Sequence, residues 1–325
     1  MPYNLILNSS NVIGSSNTQF RYNFISGSLT INEDSEMCVS QIVIPYSFFN
    51  INLTYYNNAT IRYQFPNSGG LFDVYNYTLP NGFYQTSDIN NALVQYMISQ
   101  NQYFINSNTG NNLYYIQILT NTTYYANQII CSPVPTTLPS GYSLPSAGFN
   151  YNSTSISSGH TGLPSVGYTP KLGFALTGSC ASILGFTPNT YYPTASQLTS
   201  YNVLSTKTPN ASPINSIVIR CDMANNGCAM PSDIIDSFSP NVAFGSNIVY
   251  TPTYEKWISI QSGTYSGMTI VFQDQNFNTI YANDSNVMIS LLIRQGKEKP
   301  AISKTITPNE ILPFKTPNFK NELNL

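Results

Sequence analysis

In Gln19-Phe20-Arg21-Tyr22-Asn23-Phe24 the aromatic residues take every second position and polar residues lie between them. A period of two puts the rings on one face of a strand and the polar side chains on the other. Comparable segments of β-branched and aromatic residues, divided by Gly, Pro and Asn clusters, span 18–24, 37–44, 60–65, 113–119, 124–131, 217–223, 257–260, 268–272 and 287–293. Half-buried alternation of this kind belongs to antiparallel sheets, so the expectation is an all-β sandwich or barrel. One segment has the helical period instead. Ile89, Leu93, Tyr96 and Met97 fall on one stripe that runs to about Gln100, Thr86 or Ser87 caps its start, and Asp88 suits its first turn. Before it, Leu79-Pro80-Asn81-Gly82-Phe83-Tyr84 carries an Asn-Gly pair fit for a tight turn.

The alternation fades between residues 132 and 213, where Pro, Gly, Ser, Thr and Tyr dominate and Lys171 and Lys207 are the only charges. A structureless loop of that length is at odds with a compact domain. The stretch therefore reads as a loop-rich insertion domain, anchored by Leu172-Gly173-Phe174 and Ile183-Leu184-Gly185-Phe186, with 1–131 and 214–293 forming the β domain around it. After Arg294 the pattern stops again, which leaves 294–325 as an extended tail. No internal repeat of fixed period is present.

Charge narrows the functional classes. Only 8% of the residues are Asp, Glu, Lys or Arg, against roughly 25% in ordinary soluble domains. Asn, Ser, Thr, Tyr and Gln cover the surface in their place, and such a surface costs little to desolvate in a large protein contact. The formal net charge of −2 argues against nucleic acid as the main partner. The basic residues are uneven, with Arg294, Lys297, Lys299, Lys304, Lys315 and Lys320 all in the tail. Ile311, Leu312, Phe314 and Phe319 lie there too, and four large apolar residues point to docking on a neighbouring protein more than on DNA.

Candidate chemistry is sparse. His160, in Ser158-Gly159-His160-Thr161-Gly162, is the only histidine, so any Ser-His-Asp or Cys-His arrangement has to use it, in a loop context that offers no partner. Cys38, Cys131, Cys180, Cys221 and Cys228 form no CxxC pair, which predicts reduced and mostly buried thiols. The carboxylates are scattered, and no phosphate-binding loop or calcium loop occurs. Trp257 is expected to pack in the core beside a strand. No catalytic residue, cofactor or metal is expected, and the chain reads as a non-enzyme. No apolar run is long enough to span a membrane. The first residues lack a signal-peptide pattern, so the protein is expected to be assembled inside a cell, and its Asn-x-Ser/Thr sequons reflect composition.

Several motifs taken together carry a resemblance. Ile42-Val43-Ile44-Pro45-Tyr46-Ser47-Phe48-Phe49-Asn50-Ile51 precedes Leu79-Pro80-Asn81-Gly82-Phe83-Tyr84 and the helix with Asn90-Asn91-Ala92-Leu93. Leu184-Gly185-Phe186, Asp236-Ser237-Phe238, Trp257-Ile258-Ser259-Ile260 and Phe272-Gln273-Asp274 follow in order. Over residues 10–293 this series resembles the penton, or minor capsid, proteins of virophages and related polinton-like and large double-stranded DNA viruses. The resemblance implies a single jelly roll with an insertion domain, five copies of which plug each fivefold vertex of an icosahedral virion. It implies as partners further copies of the chain, the major capsid protein and other minor capsid proteins. Two other classes share the composition: a receptor-binding spike or fibre head, expected as a trimer, and a carbohydrate-binding or carbohydrate-cleaving β-sandwich.

Overall fold

Alternation in the sequence becomes strands with alternately buried side chains in a computed structural model, which describes residues 3–67, 69–146, 148 and 163–296. The first stretch carries β1 (Tyr3–Asn8), β2 (Gln19–Asn23), β3 (Leu29–Ile31) and β4 (Glu36–Pro45). The middle carries β5 (Thr60–Pro66), β6 (Phe72–Thr78), helix α1 (Thr86–Ser99), β7 (Phe104–Asn106), β8 (Asn112–Leu113), β9 (Ile116–Asn121) and β10 (Ala126–Cys131). It continues through β11 (Tyr142–Ser143), β12 (Lys171–Phe174), helix α2 (Ala181–Leu184), β13 (Thr190–Tyr192) and β14 (Tyr201–Leu204). The chain returns in β15 (Ile217–Cys221), β16 (Ile234–Phe238), β17 (Asn247–Tyr250), β18 (Ile258–Ser259), β19 (Gly263–Tyr265), β20 (Gly267–Asp274) and β21 (Met288–Arg294). Every ladder between these strands is antiparallel, so the chain is all-β in class.

Two four-stranded paths form a sandwich. One sheet runs β1-β21-β4-β17, with β18 also on β4, and the other runs β16-β15-β20-β2. Counted along the chain, the eight long strands of the sandwich appear as first, eighth, third and sixth in one sheet and fifth, fourth, seventh and second in the other. This is a jelly-roll-like order, in which neighbours in sequence lie in opposite sheets except for the β15–β16 pair. The facing side chains form one core that includes Leu7, Phe20, Ile42, Ile219, Phe272 and Ile293. Each fully buried side chain of this kind contributes about 1.5–3 kcal/mol.

A second core lies between β4 and β15. Sheets β13-β12-β5-β6 and β14-β10-β9, with α1 packed on β9, bury Ile51, Tyr63, Phe65, Leu93, Phe174 and Phe186. The apolar clusters thus divide near residue 50, whereas the composition change stands at 132. Residues 51–131 were expected in the sandwich, yet their buried side chains belong to the second core. The reason is physical: a period of two marks a strand but does not say which sheet it joins.

Local chemistry explains the anchors of this core. A Cβ on Gly173 would stand 2.3 Å from the Tyr191 ring, so only glycine lets β13 lie against β12. Gly185 ends α2 in the left-handed region at φ 81°, where a Cβ would meet the Lys207 carbonyl at 2.3 Å. The start of α1 differs from expectation. Gln85 is the N-cap, and its N–H donates to Asp88 Oδ2 at 2.9 Å. The Thr86 hydroxyl is diverted to Asn127 Oδ1, also at 2.9 Å.

The two cores are joined by residues 46–50 and 205–216, and buried Asn50 ties the crossings together. Its Nδ2 donates to the carbonyls of Tyr84 and Ala211 at 2.7 Å each, its Oδ1 accepts from Tyr84 N at 2.8 Å, and its carbonyl accepts from Asn58 Nδ2 at 2.8 Å. A buried amide is stable only with its donors and acceptors engaged, and here they are.

Candidate functional site

The sandwich has two unlike ends. Tyr3 pairs with Ile293, Arg294 with Glu36 and Ile258 with Met37, so the outer ends of the described chain meet at one end. The connections 24–35, 222–233 and 251–266 close the same end, and Ile260 N reaches Ser35 O while Gln261 N reaches Met223 O. The opposite end carries residues 9–18, 239–246 and 275–287 together with the whole second core.

Charge is gathered at the first of these ends. Of the eleven acids up to residue 296, seven lie there: Glu33, Asp34, Glu36, Asp222, Asp233, Asp236 and Glu255. All three ion pairs among the described residues lie there as well. Arg220 grips Asp233 through Nε and Nη2 at 2.9 and 2.8 Å and donates from Nη1 to Gln273 at 2.7 Å. Buried Asp236 receives Lys256 Nζ and the Tyr250 hydroxyl, each at 2.7 Å, and these contacts pin the β17–β18 connection to β16. The hydrogen bond that Lys256 donates to Asp236 holds the Lys256 pKa above its ordinary value. Arg294 pairs with Glu36 at 2.6 Å while its guanidinium lies 4.0 Å from the Trp257 ring centre, and the Trp257 indole N–H donates to Glu255 at 3.0 Å. Trp257 is therefore half-buried beneath an arginine and is not a core residue, which corrects the expectation.

The other end is nearly free of charge. Residues 46–216 hold five charged side chains, Arg62, Asp73, Asp88, Lys171 and Lys207. Aromatic contacts join the two cores there. Tyr55 stacks on Tyr281 at 3.7 Å and Phe83 stacks on Phe244 at 4.8 Å. Beside the tyrosine stack lies a cleft of about 700 Å³, lined from one side by Tyr56, Asn58 and Ser182 and from the other by Asp274, Phe277 and Thr279. A second cleft, of about 390 Å³, is lined by Phe83, Thr86 and Tyr125.

Backbone conformation singles out two of these lining residues. Among the described residues seven non-glycines have positive φ, five of them Asn or Asp, which accept that region. The other two are Tyr125 at 50° and Phe277 at 62°, where bulky side chains cost about 1–3 kcal/mol. Both are exposed, at 77% and 39%. Sequence reasoning found neither; the turn Asp274-Gln275-Asn276-Phe277-Asn278 holds the signal, with an aromatic where glycine or asparagine normally sits.

Four cysteines are buried, and burial pushes the Cys38 thiol up to about 11 and those of Cys131, Cys180 and Cys221 up to about 12, so none is a poised nucleophile. Cys228 is exposed. Among the described residues no three His, Cys, Asp or Glu side chains gather as a metal site. His160 and the tail residues Ile311, Leu312, Phe314 and Phe319 lie outside the described residues. No helix among them is long and apolar enough to cross a membrane.

In backbone path the chain is similar to solved virophage proteins. One is the selenomethionine-labelled mavirus penton protein, at 9% identity and TM-score 0.40, with 90% of this chain and 99% of that one covered. Another is a chain of the Sputnik virophage solved by cryo-EM, at 12% identity and TM-score 0.34, with coverage of 90% and 96%. No family model and no curated protein matches the sequence.

One further surface is apolar. On the outer face of the β1-β21-β4-β17 sheet, Val249 lies opposite Val43 and Val43 opposite Met288, with Ile6 one row away. Val249 is 58% and Ile6 53% exposed. Cross-strand neighbours on one face make a continuous patch, and large exposed apolar patches mark protein contacts.

Proposed function

We propose that this chain is a penton: a capsid protein whose single jelly roll closes into a homopentamer at the fivefold vertices of an icosahedral virion. The observation that carries the reading is the polarity of the molecule, a jelly-roll-like sandwich with its ion pairs at one end and an almost uncharged second core at the other. Uncharged Asn, Ser, Thr and Tyr surfaces desolvate cheaply when copies pack side by side, and contacts repeated around a closed ring give cyclic assemblies. The apolar face with Val43, Val249 and Met288 is the proposed flank between neighbouring copies. The second core, taken as a separate insertion domain, then stands away from the ring. The charged end and the tail face inward, where Ile311, Leu312, Phe314 and Phe319 dock on a neighbouring capsid subunit, with the major capsid protein and other minor capsid proteins alongside. The motif series in the sequence supports the same reading.

Native mass spectrometry at micromolar concentration tests it. Five copies are expected, and Val249→Lys should reduce the assembly to smaller species. A trimer would instead favour the spike reading, and a persistent monomer in particles would falsify the ring. Deleting residues 295–325 should lower incorporation into particles with the sandwich still folded.

A further inference from the structure

We propose that the cleft beside the Tyr55–Tyr281 stack binds a neutral oligosaccharide, an activity separate from assembly. Its volume of about 700 Å³ lies within the roughly 300–1,000 Å³ of ligand sites. The lining is both aromatic and polar yet carries a single charged group, Asp274, and that group is engaged. Its Oδ1 accepts the N–H groups of Asn276 and Asn278, at 2.8 Å each, and its Oδ2 accepts Asn278 Nδ2 at 3.0 Å. With no cation on the lining, nothing is present to hold a phosphate, a sulfate or a nucleic acid backbone.

Other polar groups of the cleft are unspent. The side chains of Ser182, Asn210 and Thr279 line it and have no hydrogen-bond partner among the described residues. They supply hydroxyl and amide groups that both donate and accept, which matches a sugar hydroxyl and not an apolar ligand. The aromatic side comes from Phe277, a residue 39% exposed on a backbone at φ 62°. Glycine at this position would relieve the strain, and a ring that served packing would be buried. A strained residue that presents an exposed ring at a cleft has the features of a functional position. A planar ring beside hydroxyl and amide groups suits a pyranose, which has an apolar C–H face and a polar edge.

The test uses the full chain and saturation-transfer NMR with chitotriose, laminaritriose and maltotriose, and a sulfated heparin tetrasaccharide as the acidic control. At least one neutral probe is expected to bind with millimolar affinity through its ring C–H protons, and the control is not. Phe277→Gly should weaken that binding at least fivefold with an unchanged or raised melting temperature. Thr279→Val, which keeps the shape and removes one hydroxyl, should weaken it about two- to fivefold. The proposal is overturned if no neutral probe binds, if only the sulfated probe binds, or if both variants bind as the parent does. It is overturned equally if Phe277→Gly lowers the melting temperature and Thr279→Val leaves binding intact, because the ring is then a packing residue.

Discussion

The charged end of the sandwich and the second core solve the same problem, holding loops in one arrangement, with different chemistry. At the charged end Arg220–Asp233, Lys256–Asp236 and Arg294–Glu36 fasten long connections to strand ends. In the second core the fasteners are neutral. Tyr63 donates to Gln102 at 2.6 Å and stacks on Tyr75 at 5.0 Å, Tyr77 stacks on Tyr96 at 4.7 Å, and buried Asn127 donates to the Leu184 carbonyl at 3.1 Å. A charged fastener selects its partner strongly but resists desolvation, whereas amide and phenol groups keep directionality when buried at a smaller desolvation cost. The difference teaches where each end is suited to act: ionic order where Tyr3 and Arg294 lie on adjoining strand ends, and low desolvation cost in the second core.

The sharpest way to break this comparison is to damage each core separately. Phe272→Ala in the sandwich and Phe174→Ala in the second core should each cost about 3–5 kcal/mol. If the regions are independent domains, calorimetry shows two transitions and each variant lowers one of them. One transition lowered by both variants would merge the regions into a single cooperative unit.

A smaller effect, about 1–3 kcal/mol from overpacking, is expected for Gly173→Ala, whose Cβ meets the Tyr191 ring. It should lower the second-core transition only. Asp236→Asn should cost about 1–2 kcal/mol by weakening the Lys256 and Tyr250 hydrogen bonds, and it carries a pH signature. The folded-state pKa of Lys256 is raised, so its contribution is fully present below the unfolded value near 10.4 and is lost as pH rises through the folded value. Because the Lys256 side chain is 40% exposed, this alkaline loss stays under about 1 kcal/mol. Asparagine at 236 should abolish it in unfolding curves taken from pH 9 to 12.

The last expectation leaves stability untouched. A thiol reagent at neutral pH should modify Cys228 alone in the folded chain. On warming toward the transitions, Cys131 and Cys180, both in the second core, should then react together, and Cys221, in the sandwich core, separately from them. All four buried thiols reacting together would again argue for one unit.

Much of the fold was legible because alternation is a local property. Segments 18–24, 37–44, 268–272 and 287–293 coincide with β2, β4, β20 and β21, and the Ile89, Leu93 and Met97 stripe is the buried face of α1. β6 escaped notice because Phe-Asp-Val-Tyr-Asn-Tyr-Thr mixes polar residues into both faces. The border near residue 50 was hidden for a different reason. Strands on either side of it obey the same period, and the visible change at 132 reports loop content. Of the candidate cleft nothing was legible, since Phe277 at positive φ and the unspent Ser182, Asn210 and Thr279 come together only through folding. The Leu172-Gly173-Phe174 and Ile183-Leu184-Gly185-Phe186 anchors were legible as large apolar residues in a stretch otherwise rich in Pro, Gly, Ser and Thr, and their buried side chains lie in the second core.

Asn50 has a mechanical consequence. A region attached by a single strand of chain swivels freely about it, but one attached by two crossings that are themselves laced together turns about a single axis, like a door on paired pins. Asn50 is that lacing, because its one amide binds the first crossing to the Ala211 carbonyl on the second. Torque applied to the second core is therefore passed into β4 and β15, one in each sheet of the sandwich. Twisting the second core loads both sheets of the sandwich at once, so a pull on it is shared between them instead of peeling one edge.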